Sequence, residues 1–116
     1  MLHRRTADDG FATAEAALVL PSLVLVLLLA VAVVAAIGAD LKCVDASREA
    51  ARQAARGESD ATARRAALSL APPGSTVVLH HHDGWVEVTV RTRLHPWNLM
   101  PALTLGASAR AEDETP

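Results

Sequence analysis

Three consecutive histidines, His80, His81 and His82, stand directly before Asp83, and His95 follows further along the chain. Imidazole and carboxylate groups gathered this way are the ligands of a transition-metal site. On an extended strand, however, His80 and His82 project to one side and His81 to the other. Two ligands on one face do not close a tetrahedral zinc site, so no metal is expected. The expectation is a polar hairpin tip in which His80 pairs with Glu87 across the strands. Cys43 is the only cysteine, which excludes an internal disulfide framework and a cysteine-based zinc site. It reads as a small buried hydrophobe, against the sharper alternative of an intermolecular disulfide. No Ser/His/Asp spacing, phosphate loop or paired-carboxylate arrangement stands out, so no catalytic residue and no cofactor is expected and the chain reads as a non-enzyme. A formal net charge of −2 leaves no electrostatic footprint for nucleic acid. That leaves Glu15, an acid at the very edge of a long uncharged run.

The elements around these residues set what they can do. Hydrophobic residues make up 51% of the chain but aromatic residues only 3%, so the apolar content is aliphatic and concentrated. No charged residue occurs between Glu15 and Asp40, and a run from Ala16 to Ala39 exceeds the ~20 residues that a helix needs to cross a bilayer core. A core helix of a soluble domain has a polar face; here Ser22 is the only polar side chain of the run. Pro21 lies inside it and is expected to give a mild kink, since membrane helices tolerate the lost hydrogen bond. The helix is expected to continue from Asp40 to Arg56, rich in good helix formers. Leu41, Val44, Ala51 and Ala55 recur near helical spacing as a thin apolar stripe. Arg48, Arg52 and Arg56 form a basic ridge that reads as a solvated face, with Asp45 and Glu49 each in reach of an arginine three residues on.

Gly57 is a natural stop. Ser59 or Asp60 can cap a second short helix reaching about Leu70, which Pro72, Pro73 and Gly74 end. Asp83-Gly84 is a two-residue turn signal. It sets His82 against Trp85, His81 against Val86, His80 against Glu87, Leu79 against Val88 and Val77 against Val90. Val77, Leu79, Val86, Val88 and Val90 then share one face, and His80, Glu87, Thr89, Arg91 and Arg93 the other. After a loop from Pro96 to Pro101, Leu103, Leu105, Ala107 and Ala109 alternate as a third strand. The fold class is α+β: a long N-terminal helix, a short second helix and a small three-stranded antiparallel sheet. A sheet this small buries little alone, so its valine face is expected to pack on the outer half of the long helix.

The segment GFATAE followed by an apolar helix resembles the prepilin signature, a glycine, a phenylalanine and a glutamate five positions after the glycine. Within pilin-like proteins, GFATAEAALVLP is most similar to the TadE-like minor pilins of tight-adherence (Flp) type IV pilus systems, which pair that glutamate with a proline six residues later, here Glu15 and Pro21. CVDASREAARQAARGE and the final strand running into ARAE also resemble that family; Ala71 to Leu99 carries no such likeness. The resemblance implies a prepilin leader over 1–10, a membrane helix over 11–39, an outward helix over 40–56 and a small extracytoplasmic domain over 57–116. It implies cleavage between Gly10 and Phe11 by a prepilin peptidase on the cytoplasmic side. The partners it implies are that peptidase, other pilin and pilus-assembly subunits, and the lipid bilayer of the bacterial inner membrane.

After such a cut Glu15 lies four residues from a new α-amine. An unpaired ammonium beside an apolar helix is costly, and so is a lone carboxylate. Glu15 is too far along the helix to neutralise its own amine well, but it can pair with that of a neighbouring subunit displaced along the axis, which sets register between packed helices. The plainer reading places Glu15 in the headgroup zone with no special partner. Basic residues favour a cytoplasmic C-terminus, with Arg4 and Arg5 before the span and Lys42, Arg48, Arg52 and Arg56 after it. The interleaved Asp40, Asp45 and Glu49 and the leader-like tail instead lead to an N-terminus inside and a C-terminal domain outside. The competing function is a secreted or membrane-anchored small binding domain with no pilus role, since AAIGAD at the end of the run has small residues suited to signal cleavage.

Overall fold

The computed structural model describes residues 2–95, 97 and 101–113. Its elements are α1 (Leu2–Ala55), α2 (Asp60–Leu70), β1 (Thr76–His82), β2 (Trp85–Leu94) and β3 (Leu103–Glu112). The chain divides into two compact units, residues 1–34 and residues 35–116. Among the described residues the first unit is helix alone, and α1 passes through Pro21 without a break. From Leu18 to Val34 its leucines and valines are exposed. This segment is long and apolar enough to cross a membrane, and none of it is buried within the chain, so it fits a single-pass membrane protein.

In the second unit, local chemistry sets the ends of each element. Past Ala55 the Gly57 amide donates to the Ala54 carbonyl at 3.0 Å and the Glu58 amide to the Gln53 carbonyl at 3.2 Å. This is a Schellman closure, and it requires the left-handed conformation that Gly57 adopts at φ 83°. Ser59 caps α2: its hydroxyl oxygen accepts from the Thr62 amide at 3.2 Å. The Ala71 amide closes the other end on the Ala67 carbonyl at 2.9 Å, and Gly74, at φ 77°, turns the chain into β1.

The sheet is antiparallel in the order β1-β2-β3. The hairpin register is the one the turn and the two alternations predict, from Val77 against Val90 to His82 against Trp85. Gly84 supplies the positive φ, 86°, while Asp83 stays at negative φ, so only the second of the two central residues is left-handed, as in a type II turn. β3 continues the sheet with Val86 against Ala111, Val88 against Ala109 and Val90 against Ala107. Its residues alternate as expected, and the loop from Pro96 to Pro101 lies outside the described residues except at Trp97 and Pro101.

The core is one cluster. Val77, Val86, Val88 and Val90 meet Ala63 and Ala67 of α2 and Cys43, Ala46, Ala50, Ala51 and Ala54 of α1, with Leu79, Ala71, Ala107, Ala109 and Ala111 at its margin. Burying each valine contributes about 1.5–3 kcal/mol. The helix face that does this differs from the stripe expected from the sequence. Leu41 is exposed, Val44 and Ala55 are half-buried, and only Ala51 of the four is buried. Cys43, Ala46, Ser47, Ala50 and Ala54 form the packed stripe instead. Small side chains let the helix lie close to the branched valines of β2, as a close-packed interior requires.

Candidate functional site

The residues that the sequence singles out fall in both units, and they behave differently. Gly10 and Phe11 lie inside α1, with Phe11 80% exposed. Nothing lies within 4 Å of where a Gly10 side chain would sit, and its backbone is not at positive φ. Neither packing nor conformation in this fold therefore calls for glycine there. Glu15 is exposed and makes no ion pair among the described residues. The two hydroxyls near it serve their own helix: Thr13 Oγ1 donates to the Asp9 carbonyl at 2.7 Å and Ser22 Oγ to the Leu18 carbonyl at 2.6 Å. Ser22 is thus satisfied locally, as a hydroxyl in an apolar helix must be. Glu15 is left as a charge at the N-terminal edge of the apolar segment with no ion-pair partner among the described residues.

The second unit gathers its polar side chains on the outer face of the sheet and at the hairpin tip. His82 stacks on Trp85 with ring centroids 4.0 Å apart, and the Arg110 guanidinium lies 4.8 Å from the centroid of the same indole. Arg110 Nε also comes within 3.8 Å of Glu87 Oε1. His80 is Glu87's backbone partner, but the carboxylate goes to Arg110, which is opposite Glu87 on β3. The expected His80–Glu87 side-chain pair is therefore replaced, because a permanent cation across one strand outcompetes an imidazole across the other. His81 turns away to α2, where its Nε2 donates to Asp60 Oδ1 at 2.8 Å. His81 and His82 thus serve separate contacts, and among the described residues no three His, Cys, Asp or Glu side chains converge.

On α1, Glu49 pairs with Arg52 and accepts from Gln53 Nε2 at 2.8 Å. The expected Asp45–Arg48 pair is not formed among the described residues. Cys43 is wholly buried in the core cluster. The Trp85–Arg110–Glu87 contact is not legible from the hairpin alone. The register of β3, which places Arg110 beside Glu87, is the signal that finds it.

A second feature of this unit is a cavity of about 670 Å³ lined by Asp45, Arg48, Ala51 and Arg52 of α1, Leu70 of α2 and Ala109, Arg110 and Ala111 of β3. Its apolar lining is Ala51, Leu70, Ala109 and Ala111, and α1 contributes one acid, Asp45, beside Arg48 and Arg52.

Residues 10–52 match the profile of a family described as TadE-like protein. Over 95 residues the chain is 43% identical to a protein of Mycobacterium tuberculosis (strain ATCC 25618 / H37Rv) named Apoptosis inhibitor Rv3655c; the match covers 82% of this chain and 73% of the relative. No solved structure matches.

Proposed function

The chain belongs to the TadE-like family, and from that premise we propose that it is a minor pilin of a tight-adherence (Flp) type IV pilus. Family membership supports a role associated with that pilus; the inhibition of apoptosis in the relative's name is the relative's own. The observation that carries the finer reading is GFATAE set directly before an exposed apolar helix, with Glu15 lacking an ion-pair partner among the described residues. In this reading the chain is held in the bacterial inner membrane with residues 1–10 in the cytoplasm and the second unit outside. A prepilin peptidase cuts between Gly10 and Phe11. A glycine that the fold itself does not require at position 10 fits a protease subsite that admits no side chain. Glu15 then pairs with the new α-amine of a neighbouring pilin subunit, and the apolar helices pack with Pro21 allowing a local bend.

The direct test is the N-terminus of the mature protein. Phe11 as the first residue supports the proposal. A start near Ala39 or Asp40 replaces it with a secreted domain, and an intact Met1 with a plain membrane anchor. Glu15→Gln tests the pairing step. Insertion and cleavage should survive, because the change removes a charge from the edge of an apolar helix and keeps the side chain's shape. Association should fail, since breaking a buried pair from one side costs ~3–5 kcal/mol, a loss of several hundredfold or more. Co-purification of the variant with pilus subunits in normal amount, beside normal surface pilus counts, would sink the pairing role.

A further inference from the structure

The two ends of the sheet carry different charge. Asp60 opens α2 shortly after α1 ends and meets His81 at the hairpin tip, so the tip lies at the outer end of α1. Leu70, at the other end of α2, lines the cavity with Asp45 and Arg48, so α2 runs back along α1. The far end of the ladder, Leu94 against Leu103, therefore lies at the proximal end of the unit, where α1 arrives. The uncharged run stops at the same end: Asp40 is the first charge after it and belongs to the second unit. Ala39 is only 7% exposed although Ile37 is 56% exposed, so the folded unit reaches down to the edge of that run. Past α1, the acids among the described residues all gather at the tip end. Glu58 and Asp60 stand beside the start of α2, Asp83 and Glu87 in the hairpin, and Glu112 and Asp113 at the end of β3. No acidic residue occurs from Ala61 to His82 or from Val88 to Ala111. The proximal end instead carries Arg91 and Arg93, both exposed and without an ion pair among the described residues.

We propose that this proximal end rests on the bilayer surface beside α1 and binds the phosphates of anionic phospholipids, a second membrane contact in addition to the span. Arg91 stands across from Thr76 and Arg93 across from Thr104. The four line a recess of about 370 Å³, whose guanidinium and hydroxyl donors suit a headgroup phosphate. Leu94 and Trp97, both half-buried, and Leu103, 50% exposed, stand at the same end. Tryptophan with arginine is the combination suited to a membrane interface: the ring sits in the headgroup layer and the guanidinium reaches phosphate. Continuity with the span and charge together select this occupant. On α1 at this level Asp40 and Lys42 offset each other, so Arg91 and Arg93 supply the net positive charge. A contact made through the tip would set the acids against phosphate. The contact rests on the span alone, not on cleavage at Gly10 or on membership of a pilus.

The test places the 116-residue chain in nanodiscs of phosphatidylcholine, alone or mixed with phosphatidylglycerol, with brominated acyl chains to quench indole on contact. Two single-tryptophan chains are compared: Trp85→Phe, which keeps Trp97, and Trp97→Phe, which keeps Trp85 at the tip. Trp97 should be quenched more strongly than Trp85, and more in the anionic discs than in the neutral ones. There, Arg91→Gln and Arg93→Gln should each lower the ratio of surface-bound to free ends roughly fivefold, and raised ionic strength should act in the same direction. The chain stays in the neutral discs throughout, which separates the span from this contact. If Trp85→Phe disturbs amide exchange at Val88, exchange in the unsubstituted chain serves in its place: anionic lipid should slow Arg93 and Leu103 and leave the tip unchanged. Equal quenching of the two tryptophans, or quenching indifferent to phosphatidylglycerol and to both arginines, overturns the proposal. So does release by inorganic phosphate beyond its effect on ionic strength, which would make a soluble anion the occupant.

Discussion

Two stretches of α1 solve opposite problems with apolar residues. From Leu18 to Val34 the side chains are large, mostly leucine and valine, and they point away from the chain, with Leu18 77% and Val34 70% exposed. From Ala39 to Ala54 the buried residues are alanine, cysteine and serine. Hydrophobicity alone would rank the first stretch as core and the second as surface, and the structure shows the reverse. The reason is the partner. A helix facing lipid or other helices is free to use bulk, because lipid chains conform to any volume. A helix packed on valines of its own sheet must keep its side chains short, because a close-packed interior has no spare space.

That contrast can be broken most severely from the sheet side. Val88→Asp should unfold the second unit, at a cost of more than ~4 kcal/mol, because it places an unpaired charge in the core cluster. Thr89→Asp, on the other face, should cost well under ~1 kcal/mol. Thermal melts followed by amide exchange would show the order; the reverse order would mean that the register is wrong by one residue. The next change attacks the size rule itself. Ala50→Leu should destabilise the second unit by ~1–3 kcal/mol through overpacking, whereas Leu27→Ala in the exposed stretch should leave its melting unchanged. Equal effects of the two would remove the distinction between the stretches.

Smaller effects sharpen the picture at the end of the helix. Gly57→Ala should cost about 1 kcal/mol, since a Cβ at φ 83° is strained, and the loss should appear as earlier exchange of the Glu58 amide. Asp60→Asn removes the charge from the His81 contact, which is half-exposed on both sides. It should shift stability by no more than ~0.5 kcal/mol, so a large drop in melting temperature would show that this contact carries more of the α2–β1 docking than its exposure suggests.

The hairpin is legible in the amino-acid sequence because independent signals agree. Asp83-Gly84 sets the turn, and two alternating strands meet it with their valines on one face. The cap at Ser59 and the stop at Gly57 are legible for the same kind of reason, since each is a local backbone requirement met by a local residue. The buried face of α1 is not. Counting Leu41 and Val44 as core follows hydrophobicity, while the packed residues Cys43, Ala46, Ser47, Ala50 and Ala54 recur at helical spacing but are individually weak signals. Among the candidate site residues, Gly10, Phe11, Glu15 and Pro21 stand out because their pattern lies at the threshold of an uncharged run. The partner of Glu87 escapes a reading of the hairpin because it comes from β3.

Residues close along the chain suffice for the uncharged span, the turn, the caps and the alternation of each strand, since each of these is a local preference of backbone or side chain. Three features come only from the assembled fold: which side of the outer helix is buried, that Glu87 answers Arg110 rather than His80, and that α1, α2 and β3 together leave an alanine-floored cavity. Each of them depends on which distant elements come into contact. Such contacts are selected by shape and volume across the whole core, and no local pattern encodes them.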